Sequence, residues 1–146
     1  MPDFLRRFRH PAVSPEQQLT RLLSLLDRAI AVAPETETAV RACGAAGEVP
    51  GHVGRAGGEL AGTYHRLREE LHEIPVDDER APLAAEIERL LQYHQWLLHS
   101  AVQLAFSLDP DPRREAMRRR LDGVGPPAAR LRATRARVAA QLRSMP

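Results

Sequence analysis

"SPEQQLTRLLSLLDRAIAVA", residues 14–33, contains the clearest structural pattern in the chain. Ser14 stands in the position of a helix N-cap, with Pro15 at the first helical position and Gln17 three residues after the cap. Apolar residues then recur at helical spacing, at Leu19, Leu22, Leu23, Leu26, Ile30 and Ala33. The stretch therefore predicts an amphipathic helix whose leucine-rich face packs against other helices.

The rest of the chain repeats this pattern between clear helix breakers. Pro34 ends or kinks the first helix, and residues 35–43 add two or three turns. Further helices are predicted from the apolar seam Leu60, Tyr64, Leu67, Leu71 and Ile74, from Pro82 to about Leu108, over 113–122, and from 127 to about 144. No segment favours a strand, so we expect an all-α fold, an antiparallel bundle of about four long helices plus one or two short ones.

The glycine content divides the chain into an arm, a domain and a long loop. We expect residues 1–14 to form a flexible basic N-terminal arm and residues 15–146 a single helical-bundle domain. Residues 44–58 hold six glycines and one proline, which predicts a long mobile connection. His52 and Arg55 could help this segment to hold an anion at a helix N-terminus, but a plain linker is the better interpretation.

Composition excludes several kinds of chemistry. With 146 residues, 43% of them hydrophobic and 27% charged, the chain is typical of one globular domain. It has no lysine, which rules out a Schiff base or a P-loop and is typical of a GC-rich bacterial genome. A single cysteine, Cys43, allows neither an internal disulfide nor a multi-cysteine metal site. Without a signal peptide or a long apolar run, we expect a cytoplasmic protein with no cofactor and no membrane contact.

Two histidines and a glutamate lie at spacings that metal ligands often use. His65, Glu69 and His72 share one helical face, because they are four and three residues apart. That face lies far from the seam of Leu67 and Leu71, so we expect the triplet in solvent and not around a metal ion.

His94 is the one histidine that the helical pattern places on a core-facing seam. A buried imidazole needs hydrogen-bond partners, and Tyr64 or Thr134 could supply them. We favour a satisfied core residue, since no catalytic constellation accompanies His94. A ligand-binding, metal-binding or acid/base role for His94 and Tyr64 stays open as the alternative.

The opposite face of the same helix carries a second apolar stripe. Trp96, His99, Gln103 and Phe106 recur three, four and three residues apart, which makes the end of this helix apolar on two sides. Residues 111–124 or the N-terminal "FLRRF" could cover the stripe from within the chain. Otherwise it is a face for self-association or for a protein partner, with Trp96 as the anchor.

Charge is distributed unevenly along the chain. Residues 55–90 hold five arginines against nine acids, whereas residues 111–146 hold ten arginines against three acids. A basic patch is possible at Arg113, Arg114, Arg118, Arg119, Arg120, Arg130, Arg132, Arg135 and Arg137, which would suit nucleic acid. Because these arginines scatter around their helices, packing against the acidic helices is the better interpretation.

The sequence thus favours a non-catalytic protein interaction or assembly module that uses the Trp96 face and the basic C-terminal helices. Enzymatic activity is not expected, although the pattern leaves it open. The two alternatives are a ligand- or metal-binding bundle with His94 and Tyr64 inside, and an arginine-rich accessory protein that binds nucleic acid.

Overall fold

The structure is a computed structural model, and it describes residues 13–109 and 111–146. Every regular element in these ranges is a helix: α1 (Pro15–Ala31), α2 (Ala33–Cys43), α3 (Gly51–Glu73), α4 (Ala81–Ala105), α5 (Pro112–Arg118) and α6 (Pro126–Arg143). The all-α fold is confirmed for this part of the chain. Apart from Val13 and Ser14, the expected N-terminal arm, with its "FLRRF", lies outside the described residues. None of the helices described is both long and apolar enough to cross a membrane.

Helix α1 begins with the capping arrangement that its sequence predicts. The Ser14 hydroxyl accepts a hydrogen bond from the Gln17 amide at 3.1 Å, and the Gln17 side chain accepts one from the Ser14 amide at 3.2 Å. Two amides that the helix itself leaves without acceptors are satisfied in this way. Pro34 does not end α1 but lies in the first turn of α2, where its missing N–H costs nothing. Val32 alone separates the two helices.

One leucine-rich core holds the long helices together. Helix α1 packs mainly on α6, α3 packs along α4, and α2 contacts both α3 and α4. The fully buried side chains with the largest volumes come from five helices: Leu19, Leu22, Leu25, Leu26, Val40, Tyr64, Ile87, Leu91, His94, Leu98, Leu131 and Val138. At roughly 1.5–3 kcal/mol for each large apolar side chain, this shared burial is the main favourable term in folding.

The predicted loop over residues 44–58 is wrong in its second half, because α3 already begins at Gly51. Two of the glycines there, Gly54 and Gly57, allow close packing against the C-terminal end of α4. A Cβ atom on Gly57 would lie 2.6 Å from Cγ2 of Val102, and one on Gly54 would lie 2.8 Å from the Phe106 ring. A helical glycine costs about 1 kcal/mol relative to alanine, and the contacts made at this close approach offset that cost. Only residues 44–50 connect α2 to α3.

The adjacent Gly57 and Gly58 provide a matched test of this close packing. A Cβ atom on Gly58 meets nothing within 4 Å, so Gly58→Ala should raise the free energy of unfolding by about 0.5–1 kcal/mol through helix propensity. Gly57→Ala gains the same propensity but must displace Val102, which should make it less stable than Gly58→Ala by about 1–3 kcal/mol. Chemical denaturation followed by circular dichroism measures both values. Equal stabilisation by the two substitutions would show that α3 and α4 are not in close contact here.

Candidate functional site

The exposed large hydrophobic side chains of the described residues gather in one place. They are Trp96, Phe106, Leu108 and Met117, which are 59%, 38%, 104% and 50% exposed. All four line an open groove of about 760 Å³ that runs between the C-terminal half of α4 and helix α5. Scattered apolar residues are ordinary on a protein surface, whereas large contiguous apolar groups are typical of interaction sites.

The local structure explains why this groove exists. Helix α4 ends at Ala105, three residues before the expected Leu108, so Leu108 lies in the connection and its side chain is fully exposed. Helix α5 then begins after its N-cap Asp111, whose carboxylate accepts a hydrogen bond from the Arg114 amide at 2.8 Å. Met117 comes from this short helix. The groove is therefore the space between two helices that the connection holds side by side.

The structure brings together three of the four residues of the predicted interaction face. Trp96, Gln103 and Phe106 line the groove, while His99 is exposed but lies outside its lining. Residues 111–124, which could have covered the stripe, form one wall of the groove and leave Trp96 more than half exposed. Sequence reasoning missed Leu108 and Met117. In the sequence, each of the two is a single apolar residue within a polar segment, and this was the only sign that it could belong to the face.

His94 is buried in the core, 1% exposed, and stacks on Tyr64 with the ring centroids 5.1 Å apart. Its Nδ1 lies 2.6 Å from the Leu90 carbonyl oxygen, and because a carbonyl only accepts, Nδ1 carries the hydrogen. Nε2 is then a bare acceptor, and the described part of the chain places no hydrogen-bond donor beside it. This ring is enclosed and packed, as a core residue is.

The expected partners of His94 are only partly in place. Tyr64 contacts the ring by stacking, but its hydroxyl pairs with Thr36 at 3.0 Å and not with His94. Thr134 is buried on α6, and the hydrogen bonds of the described residues do not join it to His94. Thr36 was missed because its seam on α2 is short, and its position beside Tyr64 depends on how α2 packs.

Burial also determines the charge state of this cluster. Desolvation lowers the pKa of His94, opposed by the hydrogen bond to Leu90 and by the charge of Glu37. Desolvation likewise raises the pKa of Tyr64. At neutral pH both rings are uncharged, which suits a core. Neither His94 nor Tyr64 lines the groove.

The His65, Glu69 and His72 triplet faces solvent, as its helical face predicts. His65 Nε2 lies 3.0 Å from Glu69, but His72 Nε2 lies 3.0 Å from Glu88 on α4 instead. The triplet is thus split between two pairs. Across residues 13–109 and 111–146, no three His, Cys, Asp or Glu side chains are grouped as a metal site requires.

The predicted basic patch must be corrected at Arg118, which is 4% exposed. Its guanidinium donates to the carbonyl oxygens of Cys43 at 2.8 Å and Ala45 at 2.7 Å, and it pairs with Glu115 at 2.5 Å. Helix C-termini leave carbonyl groups without intrahelical partners, and Arg118 satisfies those at the end of α2. It therefore cannot bind a phosphate.

Other arginines of the patch are also engaged within the fold. Arg135 pairs with Asp27 of α1 at 2.7 Å, and Arg137 pairs with Glu86 of α4. The remaining patch residues are exposed and belong to α5, to α6 or to the turn after α5: Arg113, Arg114, Arg119, Arg120, Arg130 and Arg132. What is left is four arginines on or just after α5 and two on α6, so the possible phosphate-binding surface is smaller than the sequence suggested.

Comparison with known proteins yields no relative. No family model, no curated protein and no solved structure matches this chain.

The enclosed His94 predicts a loss of stability at mildly acidic pH. Because its pKa is lowered in the folded protein, the unfolded chain takes up the proton first as the pH falls below the ordinary value of 6.5. Between pH 7.5 and 5.5 the free energy of unfolding should fall by up to about 1.4 kcal/mol, and His94→Leu should remove most of this fall. Denaturant titrations at both pH values measure it.

A control and the other titrating groups make this test specific. His99→Leu, on the exposed face of the same helix, should keep the full pH dependence of the wild type. Among the described residues, three carboxyl groups have lowered pKa values: Glu70, Asp77 and Glu115. They change the free energy of unfolding only as the pH falls below their ordinary pKa values, 4.5 for the two glutamates and 3.8 for the aspartate. A wild type that is equally stable at pH 7.5 and 5.5 would contradict the burial of a neutral His94.

Arg118 should be far more important for stability than its exposed neighbour. Arg118→Met removes the donors from the Cys43 and Ala45 carbonyls, so we expect a loss of about 2–4 kcal/mol in the free energy of unfolding. Arg119→Gln changes an exposed side chain and should cost less than about 0.5 kcal/mol. Thermal and chemical denaturation of the two variants measure both losses. Similar losses would mean that Arg118 does not hold the end of α2.

Proposed function

We propose that this protein is a non-catalytic interaction module, a cytoplasmic antiparallel helical bundle that binds a partner protein in the Trp96 groove. One observation carries the proposal: the exposed large hydrophobic side chains of the described residues all line this groove. A partner that fills the groove removes them from water together.

The composition of the groove supports protein recognition. Trp, Phe and Met are enriched at the centres of protein interfaces, and a few such side chains supply most of the binding energy. Trp96 of α4 and Phe106, the residue directly after α4, line the groove together with Met117 of α5. The charged residues of the lining are Asp109 and Arg114, and the others are apolar or neutral polar.

The exposed arginines on and just after α5, the helix that forms one wall of the groove, indicate the charge of the partner. Arg113, Arg119 and Arg120 are exposed on α5 or directly after it, and the ion pairs of the described residues do not include them. Acidic groups on the partner would meet these arginines and speed association. The expected partner is thus a protein segment that presents apolar side chains flanked by carboxylates.

Trp96 makes this proposal directly measurable, because it is the sole tryptophan. Cross-linked partners recovered with the wild type but not with Trp96→Ala identify the candidate, which is then purified and titrated. Binding should shift the Trp96 emission to the blue, and Met117→Gln should weaken binding about tenfold, or about 1.4 kcal/mol. Gln92→Ala, one turn before Trp96 and outside the groove, is the matched control and should bind as the wild type does.

Two results would contradict the proposal. Equal affinities for the Met117→Gln and Gln92→Ala variants would show that the partner binds elsewhere. Light scattering over a range of concentrations should find a monomer, and a dimer that Met117→Gln abolishes would mean that a second copy of the chain occupies the groove in place of an acidic partner.

A further inference from the structure

A second concave site lies between α2 and the N-terminal half of α3, and it shares no lining residue with the Trp96 groove. It is an open cleft of about 550 Å³, within the range of small-molecule sites. Ala39, Val53 and Leu60 are buried and form its apolar floor. The cleft exists because several of the residues that face each other across it are as small as alanine.

The polar groups of the cleft give it a negative rim. Glu35 lies on α2 and Glu59 on α3, both are exposed, and both line the cleft. Within residues 13–109 and 111–146, neither carboxylate forms an ion pair with an arginine, and no arginine belongs to the lining. His52, at the start of α3, is the one other titratable side chain there.

The neutral polar residues of the cleft do not offset this charge. The Thr38 hydroxyl donates to the Pro34 carbonyl at 3.0 Å, and the Thr63 hydroxyl donates to the Glu59 carbonyl at 3.2 Å. With their hydrogens already used, both hydroxyls have only acceptor lone pairs, and Thr63 Oγ1 already accepts a hydrogen bond at 3.2 Å from Arg66, an arginine outside the lining. The charge of this lining is thus negative, whereas the anion site that the sequence suggested at His52 and Arg55 would require a positive charge.

We infer that this cleft binds a small organic cation with an apolar body. The hydrocarbon part of the ligand covers Ala39, Val53 and Leu60, while its ammonium group lies beside the carboxylates of Glu35 and Glu59. Because the cleft is open and both carboxylates are exposed, the electrostatic part of binding weakens as salt screens it. This site is independent of the groove and of the proposed interaction function.

Octyltrimethylammonium, which keeps its charge at every pH, is the probe, and octanoate is its anionic counterpart of similar length. Isothermal titration calorimetry at pH 7.5 and low salt should show saturable one-to-one binding of the cation. Octanoate should bind at least tenfold more weakly. The Glu35→Gln/Glu59→Gln double variant should bind the cation at least tenfold more weakly, while Glu48→Gln, an exposed acid outside the cleft, should match the wild type.

A filling variant distinguishes this cleft from general adsorption of a surfactant. Ala56 lines the cleft but is exposed, so Ala56→Leu occupies the space without disturbing the core and should weaken cation binding. Thermal melts should show that all the variants fold.

Three outcomes of the calorimetry would overturn the inference: no saturable binding of the cation, equal binding of cation and octanoate, or undiminished binding by the double variant. Trp96 emission should stay constant during the titration. A blue shift that Met117→Gln abolishes would place the cation in the groove instead and would also overturn the inference.

Discussion

The close contact between α3 and α4 at Gly54 and Gly57 is the constraint on which both surface sites depend. Without side chains at these positions, Val102 of α4 and Phe106 directly after it come against the backbone of α3. This contact supports the Phe106 ring at the end of α4, where it forms part of the groove. It also fixes the N-terminal half of α3, whose other side borders the cleft facing α2. One packing contact therefore positions both the groove and the cleft.

Arg118 contributes the second constraint, because it fixes α5 against the end of α2. The same buried guanidinium satisfies the Cys43 and Ala45 carbonyls and lowers the pKa of Glu115 through its hydrogen bond. Nearby, a Cβ atom on Gly44 would lie 2.5 Å from the Leu121 carbonyl oxygen, so the chain after α5 also rests directly on this turn. The sequence suggested that Arg118 is a surface charge, but it is a structural residue of the helix that forms the groove wall.

Sequence periodicity predicted the fold class and most of the helices, but not all of their ends and not which residues meet at the sites. Ser14, Pro15 and Gln17 predicted the start of α1, and the seams of leucines predicted an all-α fold, because capping and burial are local in sequence. The helical start at Gly51 was missed because it depends on contact with α4, which lies far along the chain. The pairing of Met117 with Trp96 was missed for the same reason. Periodicity shows which way a residue faces on its own helix, but not which residue of another helix lies opposite.

The position of Trp96 beside the core makes it a suitable anchor for binding. An aromatic series leads from buried Tyr64 through His94 and Tyr93 to Trp96, with neighbouring ring centroids 5.1, 6.1 and 5.9 Å apart. Each ring packs against the next, so the indole of Trp96 lies on a series of contacts that reaches the core. A side chain already ordered in the free protein loses little conformational entropy when a partner covers it. The enclosed His94, whose bare Nε2 is a cost to the core, is therefore also part of the support that holds the anchor in place.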